Sequence, residues 1–174
     1  MLYQYQDAKP QISDNAFIAP TAVVLGQVTV GAGSSIWFNC VLRGDINRIT
    51  IGNNTNIQDG CLLHVTHRNP VVLEDRITAG HGAILHGCHI EADCLIAMGA
   101  IVLDGAVVGT GSIVAAGALI APATTIPPES LVMGVPARVV RPVTRDDREK
   151  IERGWQNYVR YASSYRDMDL KPLP

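Results

Sequence analysis

An aliphatic residue returns every six positions from Ile18 to Val132. It occupies Ile18, Val24, Val30, Ile36 and Leu42, then Ile51, Ile57 and Leu63. It resumes at Val72, Thr78, Ile84 and Ile90, and continues through Ile96, Val102, Val108, Val114, Ile120 and Ile126. Thr78 alone departs from the aliphatic type. Four residues after each of these the side chain is usually small, as at Ala22, Ser34, Cys40, Cys61, Cys88, Cys94 and Ala100. A hexapeptide period is the mark of a parallel β-helix. Three short strands make one triangular coil, and each coil sits about 4.8 Å above the last. The large residue fills the interior and the small one fits the corner. No coil buries its apolar face alone, so stability comes from neighbours in the stack. A β-sandwich would show strict alternation with irregular turn spacing instead.

Two interruptions widen the step from six to nine, between Leu42 and Ile51 and between Leu63 and Val72. A solenoid expels such insertions as corner loops while its coils stay in register. The second contains His67, Arg68, Asn69 and Pro70, a turn-forming composition. The division that follows is an N-terminal segment over 1–17, a β-helix over 18–137 and an extension over 138–174. Within the extension a helix is expected from 144 to about 168. Thr144 and Asp147 suit its N-terminus, and Ile151, Trp155, Tyr158, Val159, Ala162 and Tyr165 form an apolar stripe. That stripe packs on the solenoid or on a neighbouring subunit.

Composition narrows the partners. With 174 residues and 47% hydrophobic content, the chain is one domain with ample core. A net charge of −2 without a basic run argues against nucleic acid. The polar start, Met1 to Ser13, resembles neither a signal peptide nor a membrane span. Cys40, Cys61, Cys88 and Cys94 all take the small hexad position and read as reduced core residues, which with the polar start points to the cytoplasm.

The hexad count also places the five histidines. His64 and His86 fall on one face, one coil apart, and His81 near the edge of the preceding face. Two imidazoles at one strand spacing can share an ion, and three-fold association would bring His81 of a second chain to them. Three imidazoles with an open fourth position suit a catalytic zinc, which lowers the pKa of a bound water toward 7. His67 falls in the expelled loop and His89 at a corner. Arg43 and Asp45 lie on the His64 face; Gln58 and Asp59 lie on the His81 face. Across subunits Arg43 could pair with Asp59. Gln58 could hydrogen-bond the metal-bound water, with Asn56 orienting it.

Arg43-Gly44-Asp45, Asn56-Ile57-Gln58-Asp59, His64, Gly80-His81 and Leu85-His86-Gly87-Cys88 together resemble the γ-class carbonic anhydrases, in their short bacterial branch. The resemblance runs over nearly the whole chain. It implies a left-handed β-helix, a homotrimer, and zinc (or iron or cobalt) held between subunits by His64, His81 and His86. It further implies roles near the metal for Gln58 and Asn56, and an intersubunit pair of Arg43 with Asp59. The implied activity is reversible hydration of carbon dioxide to bicarbonate, a lyase reaction. Two features depart from the family. Ile46 stands where the best-known members carry a glutamate, and His67 is nearest to where their proton-shuttling glutamate falls. Both departures weaken proton export. His67 and the helix residue Tyr158 are candidates to fill the gap. The competing readings are a CoA-dependent acyltransferase, which uses the same solenoid with one histidine as general base, and a metal-binding scaffold without catalysis. Fold alone does not choose among them.

Overall fold

The computed structural model describes residues 1–166 and Met168. The remaining residues of the expected extension, 167 and 169–174, lie outside the described residues. Parallel strands stack into a left-handed triangular solenoid. One face is built from short strands such as Leu62–His64 and Ile84–His86, the second from strands such as Val71–Leu73 and His89–Ile90. Val23–Val30 and Val41–Ile51 run round the corner between these faces and join them in one twelve-stranded sheet. The third face is a separate eight-stranded sheet holding Asn56–Ile57 and Thr78–Ala79. Strand pairing reaches back into the first residues, where Leu2–Tyr3 and Gln11–Ile12 pair in parallel with Val23–Val30. At the far end Ser130–Gly134 and Ala137–Pro142 pair antiparallel and terminate the third sheet.

Three buried columns fill the prism. One runs Val24, Leu42, Leu63, Leu85, Val102 and Ile120 in register. The second includes Val30, Ile51, Leu73, Ile90 and Val108; the third includes Ile36, Ile57, Ala79, Ile96 and Val114. In one coil these columns correct the hexad phase. The interior residues are Leu73, Ala79 and Leu85, each fully buried, and Val72, Thr78 and Ile84 point outward. The step from Leu63 to Leu73 is therefore ten, and the step from Leu85 to Ile90 is five. The shortened turn passes through Gly87, whose φ of 53° is left-handed. Thr78 breaks the aliphatic pattern because it is not an interior residue at all. In the same coil the small interior Ala79 is accompanied by a fully buried Ile77, so volume is exchanged rather than lost.

The two insertions also behave differently. Residues 65–70 leave the sheet as a loop, as expected, tied by the Thr66 hydroxyl, which accepts from Asn69 N at 2.9 Å. The first insertion does not leave. It stays inside the continuous strand Val41–Ile51, with Ile49 returning to the core. Asn47 Nδ2 donates to the carbonyl of Thr66 at 2.9 Å and joins the two insertions.

The helix spans Arg145–Arg166. Its start is a reciprocal cap: Asp147 N donates to Thr144 Oγ1 at 3.2 Å, and Thr144 N donates to Asp147 Oδ2 at 3.0 Å. Arg141 donates to the same carboxylate at 2.6 Å, and with Thr144 holds that acid well below the usual carboxylate range. The helix lies on the third face of its own solenoid, with Ile151 and Ala162 buried. Trp37 meets Tyr158 and Tyr165 edge-on at 5.2 and 5.0 Å. Among the described residues no helix is long and apolar enough to cross a membrane.

The corrected phase predicts an ordering. Leu73→Ala should cost about 2–5 kcal/mol and Val72→Ala less than half of that; thermal unfolding with the order reversed would refute the phase. All four cysteines are free and buried. Burial pushes the thiols of Cys88 and Cys94 up to about 12, so at pH 8 on the order of one in ten thousand is thiolate. Both should resist iodoacetamide at pH 8 until the protein is denatured; mass spectrometry showing alkylation of either within minutes would contradict this.

Candidate metal centre

Leu63 and Leu85 anchor two neighbouring strands in the core, so the residue after each must face outward. Those residues are His64 and His86, directly in register, with ring centroids 5.0 Å apart. His64 Nδ1 and His86 Nε2 approach to 3.0 Å. The outer nitrogen of each ring is held by a carboxylate. His64 Nε2 lies 3.2 Å from Asp45 Oδ1, and His86 Nδ1 makes a short hydrogen bond to Asp104. Asp45 is in turn paired with Arg43, the residue in register with His64 one coil before. His81 sits at the turn after Thr78–Ala79, on a different face, and its Nδ1 is 2.9 Å from Asp59 Oδ2. His64 and His86 are thus each anchored by a hydrogen bond to a carboxylate, and His81 is paired in charge with a third.

These partners assign the ring protons. A carboxylate accepts, so His64 carries a proton on Nε2 and His86 on Nδ1. The other nitrogen of each ring then presents a lone pair. Between His64 and His86 two lone pairs face each other at 3.0 Å, which is repulsive unless a cation or a shared proton lies between. Burial pushes the His64 imidazole below its usual pKa, against the opposing hydrogen bond from Asp45, and so favours the neutral ring that a metal requires. Burial raises the Asp45 carboxyl, but hydrogen bonds from Arg43 and His64 outweigh it and leave that group below its ordinary value.

Within one chain His81 does not join the pair. Among the described residues no group of three or more His, Cys, Asp or Glu side chains converges on a metal position. Likewise Arg43 meets Asp45 and Asp59 meets His81 inside the chain. Gln58 and Asn56 are both buried and linked: Gln58 Nε2 donates to Asn56 Oδ1 at 3.1 Å, and Asn56 Nδ2 donates to Thr78 Oγ1 at 2.9 Å. That direction of donation leaves Gln58 Oε1 as an acceptor. His67 is exposed on the 65–70 loop. His89 pairs with Glu74 at 2.9 Å on the second face, apart from the other three.

Tyr158 reaches the neighbourhood through a cavity of about 430 Å³ lined by Trp37, Phe38, Asp59, Tyr158, Tyr161 and Tyr165. Asp59 therefore has His81 on one side and an aromatic wall on the other. Burial raises the Tyr158 hydroxyl above its ordinary pKa, so it stays protonated at neutral pH. A second concavity of about 370 Å³ contains none of the histidines, and its charges are paired as Arg76–Asp93 and Arg148–Glu129. It lacks the donor set described above. Sequence reasoning missed Asp104. Its signal was available: an aspartate two residues past Val102, the interior residue in register with Leu85.

Known proteins share this arrangement of coils. Residues 9–44 and 87–122 match the family model described as bacterial transferase hexapeptide (six repeats). A carbonic anhydrase of Geobacillus kaustophilus is 44% identical, over 100% of both chains. The mitochondrial gamma carbonic anhydrase 3 of Arabidopsis thaliana is 50% identical, over 96% of this chain and 67% of its own length. A hexapeptide transferase family protein from Anaplasma phagocytophilum superposes with a TM-score of 0.90 at 34% identity, covering 94% of this chain and 97% of the other.

Proposed function

The chain belongs to the γ-class carbonic anhydrase-like family of hexapeptide-repeat proteins, and we propose that it is a metal-dependent hydratase of carbon dioxide, assembled as a homotrimer with zinc between subunits. The observation that carries this reading is the convergence of two carboxylate-anchored lone pairs, His64 Nδ1 and His86 Nε2, at 3.0 Å. The donor set fits the ion. Zinc takes imidazole nitrogen at 2.0–2.1 Å in tetrahedral geometry, which sets two ligands about 3.3 Å apart. A few tenths of an ångström of opening would suffice. His81, with its Nδ1 on Asp59, offers Nε2 as the third donor to a neighbouring chain.

Exposed apolar side chains support the association. Leu62 precedes His64 by two residues on the first face, Ile46 lies on the strand Val41–Ile51 between its first-face and second-face pairings, and Met98 follows the third-face strand Leu95–Ile96 one coil beyond His81. Leaving such groups in water at a site that needs two chains is disfavoured; covering them by a second copy removes that cost. In the assembly Arg43 of one chain exchanges partners to reach Asp59 of the next.

When bound, the metal supplies Lewis acidity that brings a water toward ionisation at neutral pH. The chain's own groups do the rest. The carboxylates orient the rings of His64 and His86 and fix which nitrogen each presents. Gln58, oriented through Asn56 and Thr78, presents an acceptor oxygen to a donor in the site. The aromatic wall beside Asp59 offers an apolar surface for an uncharged substrate. His67, exposed on its loop, is the residue available to pass protons to buffer. Ile46 cannot take part in proton transfer, so turnover should be modest. An acyltransferase needs one histidine as general base and has no use for two facing rings each fixed on a separate carboxylate; membership of a transferase-named repeat family does not favour it.

Purified protein supplied with zinc should retain about one ion per chain and hydrate carbon dioxide in stopped-flow assays. His64→Ala, His81→Ala and His86→Ala should each lose the ion. Co-expression of His81→Ala chains with His64→Ala/His86→Ala chains should restore some metal, because one mixed interface contains all three rings. No metal in the parent, or no restoration in the mixture, would defeat the shared-site reading. Metal without hydration would leave a binding scaffold and defeat the catalytic one.

A further inference from the structure

We infer that Asp104 positions His86 for the ion by fixing which ring nitrogen carries the proton; this rests on the metal-holding reading above. The two metal-facing imidazoles present different atoms. His64 faces its partner with Nδ1 and keeps its proton on Nε2, which is the form a free histidine side chain prefers. His86 faces with Nε2 and must keep its proton on Nδ1, the minor form of a free side chain. Something must hold it there, and the Asp104 carboxylate, hydrogen-bonded to that Nδ1, is the group in place. The carboxylate pairs with no other charged side chain among the described residues.

The backbone makes room for this contact. Gly87 follows His86 directly at a φ of 53°, and a Cβ there would stand 3.0 Å from Asp104 Oδ1 and 3.1 Å from Asn69 Cβ. Any side chain at position 87 would crowd the carboxylate that serves His86. The turn that contains Gly87 is the one shortened to a five-residue step. Gly105 N donates to Gly87 O at 2.7 Å, which stacks the turn that follows Asp104 directly on it. The missing residue, the glycine and the aspartate therefore form one local device. Asp104 touches no reacting atom; it acts through the ring of His86 and is a positioning residue.

The test compares the parent with Asp104→Ala, Asp104→Asn and Gly87→Ala. Zinc affinity is read by competition with a chromophoric chelator, and the His86 tautomer by long-range proton–nitrogen NMR on metal-free protein carrying ¹⁵N-histidine. Asp104→Ala should weaken zinc binding about 10–100-fold and release His86 toward the Nε2-protonated form. Asp104→Asn keeps an acceptor oxygen, so it should hold the tautomer and lose only a few-fold in affinity. Gly87→Ala should weaken zinc binding in the same direction as Asp104→Ala. Combined with Asp104→Ala it should add little, since both act on one contact. A purely structural role would lower the melting temperature without moving the tautomer. Zinc affinity within about threefold of the parent in both Asp104 variants, or an unchanged tautomer in Asp104→Ala, would overturn the inference. A parent that binds no zinc would overturn the metal reading instead, and the tautomer measurement would still judge Asp104. Should Asp104→Ala fail to fold, Asp104→Leu, near-isosteric and without an acceptor oxygen, takes its place: zinc affinity within about threefold of the parent or an unchanged His86 tautomer refutes the role.

Discussion

Stacking at the spacing of a hydrogen-bonded strand governs everything else in this molecule. Once Leu42, Leu63 and Leu85 share one interior column, the residue after each must leave the core, and Arg43, His64 and His86 come out one above another. No loop closure is needed to bring them together, and little side-chain freedom remains. The pair of imidazoles is therefore a direct product of the core. A substitution in the column would be felt at the site through the shared backbone ladder, because each outward residue inherits its height and direction from an inward neighbour.

The same logic explains how the helix enters the functional region. It docks on the third face, where Thr78 has been turned outward by the phase shift. Gly154 lets the helix approach closely, since a Cβ there would meet Thr78 Oγ1 at 3.2 Å. Thr78 accepts from Asn56, and Asn56 accepts from Gln58. The threonine that looks anomalous among aliphatic hexads is thus the buried polar end of a three-residue relay. A buried hydroxyl and two buried amides are tolerable only when their hydrogen bonds are made, and among the described residues no fully buried side-chain polar atom lacks a partner.

The architecture was legible because a six-residue period leaves little choice of fold. The relative placement of His64 and His86 was legible for the same reason. What the period concealed was its own slip. Counting backward in sixes from Ile90 lands on Ile84, Thr78 and Val72, and only Thr78 protests. Compensation between a ten-residue step and a five-residue step is invisible to a count that assumes constant stride. The first insertion was misjudged on similar grounds. Three extra residues need not leave a sheet when alternation can return Ile49 to the core. Asp45 and Asp59 were placed beside their histidines by the count, and only Asp104 was hidden, by the same slip. Asp104 and His86 are neighbours across coils, and the turn that brings them together is the one whose length was miscounted.

Solenoids of this kind serve transferases and hydratases alike, so their coils say little about chemistry. What separates the uses is how many side chains a coil boundary fixes, and in which protonation form. A general base needs one imidazole free to gain a proton. Here two rings each spend one nitrogen on a carboxylate and aim the remaining lone pairs at a common point, and a third ring lies beside a carboxylate of its own. Such an arrangement fixes which nitrogen of His64 and of His86 is protonated and which is left as a donor. It is well suited to an ion that needs neutral, pre-oriented nitrogen donors. A hydratase built on these rings would pass its protons through other groups, and under the function proposed above His67, on its exposed loop, is the candidate.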